Sequence, residues 1–278
     1  KFEVGTSSQS SYQYCNDVVG FLTWVVMSTG RKAMREILSV QDLNVHFSTS
    51  TGDVKVLNGI SFQQTESQIY CIVGENGSGK TTLALAIMGL LPETAKIVSG
   101  SISFQGVDLL NATHAAMNSM RGRDISMVFQ DARAALNPVL TIGKQLEEAI
   151  FAHNAMSKEK GRAYSLEILS ELGLSNPKKI LESYPFNLSG GMCQRVMLAV
   201  SLVNKPKLLI ADEVTSALDV TLQADVLDRL KTLCKNFGTA ILFISHDFGV
   251  VANMAHHVGV LYSGTLVESA PVVDLFSK

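Results

Sequence analysis

Gly74-Glu75-Asn76-Gly77-Ser78-Gly79-Lys80-Thr81-Thr82 decides how the rest of this 278-residue chain is read. Glycine, four residues, then Gly-Lys-Thr is the spacing of a phosphate-binding loop. Gly74, Gly77 and Gly79 let the backbone curl tightly and aim successive N–H groups inward. Lys80 brings positive charge to β- and γ-phosphates, and the Thr81 hydroxyl is a ligand for Mg²⁺. The flanks agree with this. Ile69-Tyr70-Cys71-Ile72-Val73 is an unbroken apolar run, as in a buried parallel strand. Leu83 to Leu91 is apolar and stopped by Pro92, which predicts a helix whose positive dipole end meets the same anion.

Outward from the loop, Ile37 to Phe47 and Val54 to Phe62 read as strands, with Asn58-Gly59 as a turn signal. Ser101 to Phe104 followed by Gln105-Gly106 predicts another short strand and turn, so these early strands form a small antiparallel sheet. Ile125 to Phe129 is strand-like and ends at Gln130. Helical periodicity runs from Ile142 to about Leu172, and residues 131 to 187 read as a helical insertion. Leu188-Ser189-Gly190-Gly191-Met192 then opens an apolar helix, Val196 to Val203, with Ser189 placed as its cap. Leu208 to Ala211 is a buried strand closed by Asp212 and Glu213. An aspartate there holds Mg²⁺ through water, and the next glutamate orients an attacking water. Val220 to Phe237 is helical by spacing, and Thr239 to Ser245 is one more buried strand, ending at His246. Val258–Tyr262 and Thr265–Glu268, split by Ser263-Gly264, predict a final hairpin.

Composition narrows the classes. A formal net charge of −2 gives no reason to expect a nucleic-acid partner. Cys15, Cys71, Cys193 and Cys234 are scattered without metal spacing, which fits a reduced, cytosolic setting. No apolar run reaches the roughly 18–20 residues that cross a bilayer. Val18 to Met27 is the best candidate and reads at most as a weak signal-peptide core. Residues 1–35 are expected to be an untypical leader upstream of a domain at 36–278, with Met34 a candidate start.

Taken together, residues from about 37 onward resemble the ATPase subunit of an ABC transporter. Walker A is 74–82, the glutamine loop Gln130, the signature 188–192, Walker B 208–213, the D-loop 216–219 with Ser216 and Asp219, and the switch histidine His246. FQDARAALNPVLTIGKQL (129–146) and SYPFNLSGGMCQR (183–195) resemble the peptide and nickel importer ATPases more closely. The resemblance implies an α/β fold: a P-loop NTPase with a RecA-like core, an antiparallel β subdomain and an α-helical insertion subdomain at about 131–200. It also implies ATP and Mg²⁺ as ligands, Phe47 as the aromatic stacked on adenine, and Gln130 with Thr81 and Asp212 around the metal. Glu213, His246 and Gln130 serve hydrolysis. Ser189, Gly190 and Gly191 reach the ATP of a second ABC subunit, identical or related, in a head-to-tail dimer. Two membrane permeases and an extracytoplasmic substrate-binding protein complete the complex, placing this subunit on the cytoplasmic face of the membrane. Val214 stands where the family usually has proline, which would loosen the turn into the D-loop. Two other functions compete: a soluble ABC-type ATPase acting on DNA or ribosomes, and a low-turnover nucleotide-binding scaffold. The long coiled coil, zinc cysteines or second nucleotide domain usual in the former are not visible in the sequence.

Overall fold

The computed structural model describes residues 35–50, 52–215 and 220–277. The leader expected at 1–35, apart from Arg35, and the D-loop residues Ser216 and Asp219 lie outside the described residues.

The chain begins with long strands β1 (Glu36–Thr49) and β2 (Gly52–Thr65). Asn58-Gly59 does not turn the chain. β1 and β2 pair Leu43 with Ile60 and Val45 with Leu57, so two residues of β2 oppose Asn44. This is a bulge: Gly59 takes φ +63°, and its N–H donates to Asn44 Oδ1 at 3.0 Å. The buried strand β3 (Ile69–Val73) follows, then the glycine loop and helix α1 (Lys80–Met88). The helix stops at Gly89, in the left-handed region at φ 61°, before the expected proline. Strands β4 (Ala95–Phe104) and β5 (Val107–Asp108) complete an antiparallel sheet of order β2-β1-β4-β5.

Helix α2 (His114–Met120) leads to β6 (Ile125–Val128). The helical region holds α3 (Ala132–Ala135), α4 (Ile142–Phe151), α5 (Lys158–Glu171), α6 (Pro177–Glu182) and α7 (Gly190–Leu202). The expected single helical stretch after Ile142 is two helices, each with its own cap. Thr141 accepts from Lys144 N–H and Ser157 from Lys160 N–H. Strand β7 (Leu208–Asp212), helix α8 (Val220–Phe237), strand β8 (Ala240–Ser245) and helix α9 (Phe248–Met254) return to the core. The chain closes with β9 (His257–Tyr262), β10 (Thr265–Pro271) and α10 (Val272–Phe276).

The second sheet has the order β10-β9-β3-β8-β7-β6. The expected hairpin forms, yet β9 also pairs parallel with β3, Tyr70 against His257 through Val73 against Val260. Alternate residues of its buried strands face two different cores. Cys71, Val73, Ala211 and Phe243 pack under the helices, whereas Tyr70, Ile72, Ile210 and Leu242 pack against the antiparallel sheet. Both faces are covered, which is why these strands carry no polar alternation.

Candidate nucleotide-binding site

Sheet register assembles the site. β3, β8, β7 and β6 run parallel, and Val73 stands beside Ser245, Ile244 beside Asp212, and Ala211 beside Val128. The residues just past these strand ends are therefore neighbours: the glycine loop, His246, Glu213 and Gln130. Ligands of open parallel sheets bind at this carboxyl edge.

The glycine loop is built by close contact as well as by conformation. A Cβ on Gly74 would stand 2.1 Å from the Leu261 carbonyl oxygen. Gly79, at φ 105°, caps α1 and touches Leu57 and Val56. Lys80 is 5% exposed and donates from Nζ to the Gly74 and Glu75 carbonyls at 2.8 and 2.9 Å. Its Nζ lies 4.0 Å from Glu213 Oε1.

Glu213 is the hub of the polar groups. Gln130 Nε2 donates to its Oε2 at 2.9 Å, and His246 Nδ1 stands 3.2 Å from its Oε1. Its backbone sits in the left-handed region at φ 47°, with its N–H on Ile244 O at 3.0 Å. That strained turn swings the carboxylate over the sheet edge. Asp212 is 2% exposed, with Thr81 beside it. Burial pushes its carboxyl above the usual aspartate range, against the pull of Thr81, with Glu213 raising it further and Lys80 lowering it.

The cavity these groups line is about 380 Å³ and includes Asn76, Gly77, Gly79, Lys80, Thr81 and Thr82, with Gln130 and Glu213 opposite. Val56 of β2 also lines it, a residue with no signal in the sequence. Phe47 is half-buried near the end of β1, paired with Val54 and Ala95, and is not among the cavity's walls. Ser189 and Gly190 are exposed at the start of α7, with Ser189 Oγ accepting from Met192 N–H at 3.3 Å; they do not line this cavity either. Val214 is fully buried in the core under the helices.

Among the buried side-chain oxygens of the described residues that have no hydrogen-bond partner, two belong to this site: Asp212 Oδ1 and Ser78 Oγ. An orphaned carboxylate oxygen beside a threonine hydroxyl is the hard oxygen donor set that Mg²⁺ takes, usually with water and substrate phosphates. The residues present fit such an ion.

Residues 57–216, more than half of the chain, match the ABC transporter family. The chain belongs to that family. As an ABC ATPase it is 44% identical over 244 residues to the dipeptide transport ATP-binding protein DppD of Bacillus subtilis, covering 87% of this chain and 73% of that one. It is equally 44% identical to the oligopeptide transport ATP-binding protein AppD of the same organism, covering 87% and 74%. Its fold matches the ATP-binding cassette MJ0796, solved as a dimer in a post-hydrolysis state with ADP and Pi. The TM-score is 0.77 at 26% identity, covering 85% of this chain and 99% of the cassette. The cassette of cbiO1 from Clostridium perfringens gives 0.73 at 26% identity, covering 87% and 91%. The expected RecA-like core, antiparallel sheet and helical region are thus those of an ABC cassette.

Proposed function

We propose that this ABC ATPase is the energy-supplying subunit of a peptide importer, working at the cytoplasmic face of the membrane beside two permeases and a second ABC subunit. The observation that carries the reading is the identity of 44% to subunits named for dipeptide and oligopeptide transport, over nearly the whole described chain. It favours peptides over nickel complexes, and transport over action on DNA or ribosomes. Among the described residues no helix is long and apolar enough to cross a membrane.

Each residue of the site then has a role. The N–H groups of 74–82 and the Lys80 ammonium hold the β- and γ-phosphates of ATP. Thr81 and Asp212, with Gln130, would hold Mg²⁺, which when bound would neutralise charge on the phosphate oxygens. Glu213 takes the proton side of an attacking water. Its orientation is supported from three sides, by Gln130, His246 and Lys80. Ser189 and Gly190 are exposed and Gly191 is half-buried; the three serve the ATP of the second subunit, where a helix start offers N–H donors only on closure. Phe47 is retained as the adenine neighbour.

Docking of a permease is supported by an apolar groove of about 270 Å³ between the sheet edge and the helical region, lined by Leu90, Met127, Phe129, His153, Met197 and Val200. Phe129 is 36% exposed there, directly before Gln130. The test is reconstitution in liposomes with the permeases and the binding protein. Wild type should hydrolyse ATP faster when peptide-loaded binding protein is added, and Glu213→Gln should bind ATP yet turn over at least about 100-fold more slowly. Stimulation by a nickel complex and not by peptide would overturn the substrate reading; near-normal hydrolysis by Glu213→Gln would remove Glu213 from its role.

A further inference from the structure

One ionic cluster lies away from the phosphate cradle and ties three helices together. Arg195 projects from α7, the helix that starts at the signature. Its side chain is only 12% exposed, and its Nη2 lies 3.5 Å from Asp225 Oδ2 on α8. The other Asp225 oxygen accepts from Arg229 Nε at 2.9 Å. Each arginine also holds a carbonyl at the end of α5. Arg195 Nη1 donates to Gly173 O at 2.9 Å, and Arg229 Nη1 donates to Glu171 O at 3.1 Å. Gly173 sits at φ 74°, and a Cβ on it would meet the Arg229 guanidinium at 2.9 Å and Arg195 Nη1 at 3.0 Å. The two guanidiniums thus close around one glycine.

Asp225 is the only carboxylate that ion-pairs with Arg195 and Arg229 among the described residues. It belongs to α8, the next described element after β7, whose last residue is Asp212 and which Glu213 follows. Arg195 belongs to the helix whose first turn presents Ser189 and Gly190. One side chain therefore links the helix that presents the signature to the part of the core that carries the catalytic acid. Asp225 and Arg229 are 41% and 39% exposed, so solvent screens the pairing and its contribution to stability is small. What a carboxylate held between two planar guanidiniums supplies is orientation.

We infer that Asp225 is a positioning residue: it sets the angle of α7 against α8, and through it the aim of Ser189-Gly190-Gly191 at the ATP of a neighbouring subunit. This rests on the composite-site reading above. Removing the carboxylate leaves Arg195 and Arg229 on the carbonyls at the end of α5 without the anion that joins α7 to α8. None of these residues belongs to the cradle at 74–82.

The experiment uses the purified full chain, with Asp225→Ala, Asp225→Glu and, as a control, Ser189→Ala. Three quantities are read: affinity for a fluorescent ATP analogue without hydrolysis, steady-state KM and kcat for ATP, and Tm. Asp225→Ala should raise KM about 5–10-fold, the scale of a coupling between sites, with analogue affinity unchanged within twofold. Asp225→Glu should bring KM back to within twofold of wild type. An unchanged KM in Asp225→Ala overturns the inference. So do analogue affinity, KM and Tm all worsening together, which is the mark of a structural residue, and failure of Asp225→Glu to restore KM. Ser189→Ala separates the two levels: wild-type hydrolysis by that variant sinks the composite-site reading, and this inference with it, whatever Asp225 does.

Discussion

At the end of β7, Asp212 leaves one carboxylate oxygen without a partner in a nearly water-free position. Its pKa is raised in the folded chain, mainly by burial. A group with a raised folded pKa stabilises below its unfolded pKa, and that contribution is lost as pH rises through the folded value. At neutral pH the ionised Asp212 therefore works against folding. Asp212→Asn should raise the Tm of the nucleotide-free chain. The same variant should lose the extra Tm gain that Mg²⁺ gives over nucleotide alone. Scanning calorimetry with ATP, with and without Mg²⁺, checks both; an Asn variant that melts lower than wild type would contradict the argument. The candidate acids were legible because two carboxylates closing an apolar run are conspicuous in a sequence. Val56 was not, because an ordinary strand valine acquires its place only when β2 passes over the loop.

Elements show two different uses of glycine. Gly59 sits in the β2 bulge at φ 63°, with nothing near the position of a Cβ. Gly59→Ala should lose about 1–2 kcal/mol, the conformational cost of an L-residue in the left-handed region. Gly74 meets the Leu261 backbone oxygen at 2.1 Å from the same built position, and a backbone oxygen yields poorly. Gly74→Ala should therefore lose more stability than Gly59→Ala, and ATP affinity as well. Urea unfolding of the two variants ranks them, and equal losses would show that the loop relaxes. A second test concerns β3. Ile69 N–H donates to His256 Nδ1 at 3.1 Å, while His256 N–H donates to Ile69 O at 2.9 Å. Burial, then Lys231 and His257, hold His256 below the ordinary histidine range. A histidine with a lowered folded pKa gives stability that is present above its unfolded value, about 6.5, and lost as pH falls through the folded value. Unfolding free energy should thus fall as pH drops below about 6.5, and His256→Gln, which does not titrate, should flatten that slope.

For the whole molecule the question is where the second half of the site comes from. Ser189 and Gly190 are exposed and do not line the cavity that holds Lys80 and Glu213, and the composite site proposed above has a second chain bring them. In Glu213→Gln protein, where ATP persists, Mg²⁺-ATP should convert monomer to dimer, as read by light scattering after gel filtration. Adding Ser189→Arg should abolish that dimer and leave nucleotide affinity in the single chain within about twofold. A dimer that survives Ser189→Arg would place the interface elsewhere.

By itself the sequence determined the phosphate loop, the acid-tipped strand, the strand ending at His246 and the helical insertion. These follow from short contiguous rules: glycine spacing, unbroken apolar runs, capping residues. The tertiary structure alone decided that β8 lies between β3 and β7, that β9 joins the parallel sheet, and that Asn58-Gly59 bulges where a turn was expected. It also decided that Arg195 and Arg229 share Asp225. The reason is that apolar strands look alike to a local pattern whatever their neighbours. Their order, and hence the meeting of Gln130, Glu213 and His246, is set only when both faces of the sheet are packed at once.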